Sequence, residues 1–226
     1  MLACMVALLV GADPYAAARE AMVRDTIEAR GIRNPAVLHA MRNTLRHLFV
    51  PPRLADMAYS DRALPIGYGA TISQPYIVAL MTELLAPSAS SRVLEIGSGS
   101  GYQAAILAQL AAHVYTVEIV PELAGSAAAR LQSLGYRNVT VKQGDGYRGW
   151  PDQAPFDRII LTAAPSEVPA TLIDQLARGG KLVAPVGPAF DQELVVLEKD
   201  AAGHISRRMA GPVMFVPMKP GEKPNE

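Results

Sequence analysis

The run Val93-Leu94-Glu95-Ile96-Gly97-Ser98-Gly99-Ser100-Gly101-Tyr102 constrains this chain more than any other stretch. A short aliphatic strand pattern ends in glycines at three alternate positions, and an alanine-rich helical pattern follows at once. Strand, bare-backbone turn and helix start are how an open α/β sheet builds a ligand site at the carboxyl end of its first strand. Glycine belongs where the chain turns sharply or where a ligand must approach the backbone without meeting a Cβ. The spacing also excludes ligands. A G-x-G-x-x-G fingerprint would need its third glycine at position 102, which is Tyr102, and no G-x-x-x-x-G-K-[ST] phosphate loop occurs.

From Arg92 onward the pattern is a βαβ rhythm. Strands are predicted at Val93–Ile96, Val114–Glu118, Val139–Gln143, Ile159–Thr162, Leu182–Val186, Leu194–Glu198 and Met214–Val216. Helices are predicted at Tyr102–Ala112, Glu122–Leu134 and Val168–Ala177, the last stopped by Gly179-Gly180. This predicts an α/β fold: a Rossmann-like open sheet of about seven mostly parallel strands with helices on both faces. The last strands read as an antiparallel hairpin.

Two helical patterns, Ala16–Arg30 and one opened by Asn34-Pro35, precede the first strand and form an appended N-terminal helical layer. Residues 61–76 (DRALPIGYGATISQPY) have no lasting periodicity and read as a structured loop. Behind it, Ile77, Leu80, Met81, Leu84 and Leu85 make an amphipathic helix with Pro75 near its start, so Ser73 or Gln74 falls near the N-cap.

Composition narrows the partners. The 226 residues can bury one sizeable core, and 50% hydrophobic with 19% charged residues is globular composition. Twenty-one basic residues balance 21 acidic ones without a basic block, which argues against a nucleic-acid partner. Cys4 is the only cysteine, and His39, His47, His113 and His204 lack ligand spacing, so no metal is expected. No apolar run reaches the ~18 residues of a membrane span, so no stable membrane association is expected. Residues 1–12 (MLACMVALLVGA) form an uncharged apolar extension with the length of a signal core but no basic flank. The expectation is a cytoplasmic monomer, with export to the periplasm as the alternative given that extension. Residues 13–218 read as a single domain and 219–226 as a loose tail.

Three features fall where such a sheet holds a nucleoside. Gly97, Gly99 and Gly101 form the turn, with Ser98 between them and Glu95 at the strand end. Glu118 ends the second strand 21 residues after Gly97, the distance at which an acid accepts ribose hydroxyls. Asp145, between Gly144 and Gly146, ends the third strand and can reach an adenine edge. Carboxylates do not favour a polyanion. The E-x-G-x-G-x-G pattern is that of S-adenosylmethionine (SAM) methyltransferases, and SAM carries a sulfonium and no phosphate.

From about Arg24 to Met218 the sequence resembles the protein-L-isoaspartate O-methyltransferase family. The resemblance rests on Ala63-Leu64-Pro65-Ile66-Gly67, Thr71-Ile72-Ser73-Gln74-Pro75, Gly144-Asp145-Gly146, Ala154-Pro155-Phe156-Asp157, Thr162-Ala163-Ala164-Pro165, Leu182 to Gly187 and Phe215-Val216-Pro217. It implies Ser73 as the active-site residue. It implies cofactor contacts from Ile72, Ser73, Gln74, Glu95, Gly97, Ser98, Gly99, Gly101, Glu118, Asp145 and Gly146. Leu64, Pro65, Ile66, Gly67 and Thr71 would form a substrate loop. The implied activity is SAM-dependent methylation of the free carboxylate of L-isoaspartyl residues in damaged proteins, leaving S-adenosyl-L-homocysteine. One departure, Leu45 where the family often has proline before the arginine, is a packing change.

The residues fit that chemistry on one independent point. A carboxylate with a pKa near ~3.5 is ionised at neutral pH, so such an acceptor needs no general base. The alternatives are a methyltransferase for nucleic acids or small molecules and a catalytically idle SAM-binding protein. Against the first, the segment after the fourth strand is Thr-Ala-Ala-Pro rather than an Asn/Asp-Pro-Pro-Tyr motif; against the second stands the intact Ser73 loop.

Overall fold

The computed structural model describes residues 13–221; the apolar extension 1–12 and the last residues of the tail lie outside them. Seven strands form one sheet in the order β5-β4-β3-β6-β7-β8-β9. They are β3 (Arg92–Ile96), β4 (His113–Glu118), β5 (Val139–Gln143), β6 (Phe156–Leu161), β7 (Leu176–Val186), β8 (Gln192–Lys199) and β9 (Ile205–Val213). A separate hairpin, β1 (Leu64–Gly67) with β2 (Ala70–Ile72), precedes them. The five strands β3 to β7 run parallel, and β8 is antiparallel to both its neighbours. This is the expected open, mostly parallel sheet.

Period-two alternation sorts the strand residues into two cores. Val93, Ile160, Val183 and Val196 face one side, where they join Met81 and Leu85 of α3 (Pro75–Leu85), Ile106 of α4 (Tyr102–Ala108) and Leu131 of α5 (Pro121–Ser133). Met22, Val23, Ile27, Val37 and Met41 of the N-terminal layer belong to the same cluster. Leu94, Ile159, Leu161, Leu182 and Leu197 face the other side with Leu172 of α6 (Ala170–Gln175). The central strands are therefore apolar on both faces, as buried parallel strands must be.

The N-terminal layer begins with α1 (Ala16–Ala21) and continues through α2 (Pro35–Asn43), where Asn34 caps the amides of Ala36 and Val37, to two 3-10 turns at Arg46–Phe49 and Pro52–Met57. Between α1 and α2 the single helix expected over Ala16–Arg30 widens into a π-helix at Met22–Glu28. Buried Met22 and Ile27 lie five residues apart, a spacing that suits the wider i→i+5 turn.

Three other expectations change. The loop over 61–76 contains the β1–β2 hairpin, whose strands of four and three residues are too short to show a period. The last strand is β9 at Ile205–Val213, not Met214–Val216. As the sheet edge β9 leaves Ile205 to Met209 exposed, so no aliphatic run marks it. Helix α6 ends at Gln175, and Gly179-Gly180 lie inside β7, where the register with β6 is interrupted.

Candidate active site

The chain leaves β3 toward β4 on one side and returns later to β6 on the other. Their carboxyl ends therefore border the crevice where open α/β sheets bind ligands. A cavity opens there, lined by Ile96 to Ser100, Val117 to Val120, Leu123, Gly146, Thr162, Ala163 and Val216 to Lys219. Its roof is the β1–β2 hairpin, through Tyr68 to Ser73, with Val78, Tyr102 and Gln103 completing the wall.

The glycine turn is held from several directions. Glu118 accepts the Gly99 amide at 2.8 Å through one carboxylate oxygen and the Val120 amide at 3.0 Å through the other. The hydroxyls of Ser98 and Thr116 lie 2.7 Å apart. Gly97 has φ +101°, and a Cβ there would overlap Thr162 Oγ1, which donates to the carbonyls of Ile96 and Gly97. Gly146 lies so close to Ile96 that a Cβ would overlap its Cγ2. The bare backbones at these two positions let neighbouring strand ends converge on one cavity. Gly101 is buried against Leu131 of α5 and serves packing.

Ser73 lies between the hairpin and α3. Helix α3 takes Gln74 as its N-cap without a side-chain cap, and Asp61 accepts the Tyr76 amide at 3.0 Å. The Ser73 hydroxyl therefore caps nothing. Ser73, Thr71, Thr162 and Val216 line this cavity and also a second groove, completed by Arg30, Gln74, Phe190 to Glu193 and Pro212 to Phe215. Arg30 is held at its rim by a 2.9 Å contact with Asp61 and by the Tyr76 ring 3.4 Å away.

Residues 17–223 match the family described as protein-L-isoaspartate(D-aspartate) O-methyltransferase. This chain belongs to that family. It is 56% identical to a protein-L-isoaspartate O-methyltransferase from Synechococcus sp. (strain JA-2-3B'a(2-13)), covering 91% of this chain and 87% of that one. It is 53% identical to the Gloeobacter violaceus protein of that name, over 91% of this chain and all of that one. A solved protein-L-isoaspartate O-methyltransferase superposes with a TM-score of 0.79 at 28% identity; the match covers 88% of this chain and 65% of that longer one. A Plasmodium falciparum structure described as this enzyme in complex with S-adenosyl-L-homocysteine superposes with a TM-score of 0.78 at 25% identity, covering 89% and 98%.

Against this family membership, the expected site residues separate into groups. Ile72, Ser73, Gly97, Ser98, Gly99, Glu118 and Gly146 line the cavity together, with Thr71 at its junction with the groove. Gln74 lines the groove only. Of the remaining hairpin residues, Leu64 is core, Pro65 and Gly67 are exposed, and Ile66 lies over the turn, its Cδ1 3.3 Å from where a Gly99 Cβ would stand. Asp145 stands outside the wall, accepting the Tyr147 amide. Lys219 lines the cavity, and Gly221 lies against Asp145.

Glu95 is also outside the wall. Strand parity turns it onto the α3–α4 side, opposite Thr116, with no solvent exposure. Burial pushes its carboxyl up to about 8; the nearby Glu118 charge adds to this and the Thr116 hydroxyl opposes it. It is mostly protonated at neutral pH. Sequence reasoning assigned no site role to Tyr68, Thr162, Ala163 or Val216. Thr162, Ala163 and Val216 lie within motifs shared with the family, whereas Tyr68 (φ +54°) has no signal short of the hairpin itself.

The four histidines stand in neither opening. His39 bonds Asn43, His47 bonds Tyr59, His113 bonds Thr140 and His204 bonds Asp200. Among the described residues no cluster of His, Cys, Asp or Glu is arranged to hold a metal, and no helix is long and apolar enough to cross a membrane.

Proposed function

We propose that this chain methylates the free carboxylate of L-isoaspartyl residues in damaged proteins and peptides, with SAM as donor. One observation carries the reading: a nucleoside-type cavity and a surface groove meet at Thr71, Ser73 and Thr162. A donor held in the first and a peptide side chain entering from the second would face each other across Ser73.

The donor set of the cavity fits SAM. Its charged lining residues are the Glu118 carboxylate and Lys219 at the far end, a balance suited to hydroxyl and cationic groups and not to polyphosphate. In this reading Glu118 accepts the ribose hydroxyls with its remaining lone pairs. Gly97, Ser98 and Gly99 shape the floor with Gly101 packed behind them, Gly146 forms the adenine end with Asp145 just outside the wall, and Ile72 and Ser73 close the methyl end with Gln74 on the groove side. Glu95 acts from behind the turn. Leu64 to Gly67 and Thr71 form the loop that covers the peptide.

Bound SAM supplies the methyl group, which passes to a carboxylate oxygen to leave an ester and S-adenosyl-L-homocysteine. The chain supplies placement. Ser73 Oγ, free of capping duty, donates to the acceptor carboxylate and orients it, while the hairpin excludes water. No residue need take a proton, consistent with two openings that contain no histidine. The backbone amide nitrogen of the following residue then attacks the ester carbonyl and expels methanol, closing a succinimide that water opens partly to normal aspartate. The proposal is for a monomer acting in the cytoplasm.

The test offers SAM with a labelled methyl group to paired peptides differing only in aspartyl or isoaspartyl linkage. Base-labile label on the isoaspartyl member alone is the expected result. Label on both or on neither overturns the substrate assignment.

A further inference from the structure

Arg46 is fully buried at the start of the 3-10 turn Arg46–Phe49. Its Nε donates to the Ala58 carbonyl at 2.7 Å, and its Nη2 donates to the Ser73 carbonyl, also at 2.7 Å. The guanidinium carbon lies 4.7 Å from the centroid of the Tyr102 ring, and Tyr102 lines the cofactor cavity. Nη1 has no partner, and among the described residues no carboxylate forms an ion pair with this side chain. A buried guanidinium without a counter-ion is costly, and a site that needed only volume would be better filled by an apolar side chain.

What the guanidinium provides is a planar fork joining three places far apart in sequence. Ala58 belongs to the N-terminal layer, Tyr102 follows the glycine turn, and Ser73 lies at the meeting of cavity and groove. Lysine, a single point charge on a flexible stem, cannot bridge two carbonyls and stack on a ring at once. We infer that Arg46 is a positioning residue for methyl transfer, fixing Ser73 against the cofactor cavity by bridging the carbonyls of Ser73 and Ala58 and stacking on Tyr102.

The inference rests on the orienting role proposed for Ser73. Its physical content is distance: displacement of a positioning group by about 1 Å can cost on the order of a hundredfold in rate. Arg46 makes its contact through the Ser73 main chain, so its effect on chemistry runs through where Oγ stands.

A double-mutant cycle tests this. Arg46→Lys, Ser73→Ala and the double variant are assayed for kcat on an isoaspartyl peptide, with SAM affinity by calorimetry and a thermal melt for each. Arg46→Lys is expected to lower kcat about 10- to 100-fold, with SAM affinity within about twofold of the parent. In the Ser73→Ala background, with no hydroxyl left to misplace, the same change should lower kcat by less than about threefold. An equal loss in both backgrounds, a proportionate loss of SAM affinity, or no change in kcat overturns the positioning role. Ser73→Ala indistinguishable from the parent is a different failure: it removes the orienting role of Ser73 and with it the route assigned to Arg46. Should Arg46→Lys not fold, Arg46→Gln, which retains one amide donor, enters the same cycle with the same outcomes.

Discussion

Glu95 illustrates what one side chain can conceal. At the strand end beside the glycines it reads as a ligand-facing acid, yet the pleat turns it inward, where neither carboxylate oxygen has a hydrogen-bond partner. Its pKa of about 8, against an ordinary 4.5, means that between these values the folded chain holds a proton the unfolded chain has released. Stability contributed by this group is therefore lost as pH rises through that window, by up to about 1.4 kcal/mol per pH unit. Glu95→Gln, neutral at every pH, should flatten the decline in urea-unfolding free energy between pH 5 and pH 8 relative to the parent. Parallel pH profiles would show that the buried carboxyl does not titrate this way. Glu118 was legible from its spacing, but its grip on the amides of Gly99 and Val120 was not, because a spacing rule says nothing about which backbone donors converge on a carboxylate.

At the scale of elements, the first turn of α3 is set by one acid from outside it. Asp61 accepts from Gln74 Nε2 at 2.6 Å, the Tyr76 amide at 3.0 Å and Arg30 Nη1 at 2.9 Å. Removing it leaves a helix-terminal amide and two side-chain donors without that acceptor. Asp61→Ala should cost about 1–3 kcal/mol of stability and lower kcat more than SAM affinity, because the elements it ties carry Ser73 and Gln74. Unfolding curves and kcat beside SAM calorimetry check both parts; unchanged kcat would mean that the segment holds its place without Asp61. The sequence marked this region by its glycines and prolines as structured. It could not reveal a hairpin, because strands three and four residues long carry too few alternations to distinguish from a loop.

At the scale of the whole molecule, the N-terminal layer and one face of the sheet share a single hydrophobic cluster, from Met22 and Met41 through Met81 and Ile106 to Ile160 and Val196. Layer and sheet should therefore unfold together. Calorimetry should show one transition, raised by about 5–10 °C when SAM is present at 100 times its dissociation constant, which adds about 2.7 kcal/mol to the folded state. Two transitions, only one of them shifted by SAM, would divide the chain into separate domains. The sequence by itself determined the sheet, its direction and its crevice, because aliphatic runs, glycine stops and the intervals between them are local consequences of backbone sterics and burial. The glycine turn was visible for the same reason, Glu118 by its interval from Gly97, and Ser73 through the Thr71–Pro75 motif shared with the family. Only the tertiary structure decided that Glu95 faces away from the cavity, that β9 replaces a strand at 214–216, and that Arg46 and Asp61 grip the Ser73 segment from 27 and 13 residues upstream. Such contacts depend on which distant segments packing brings together.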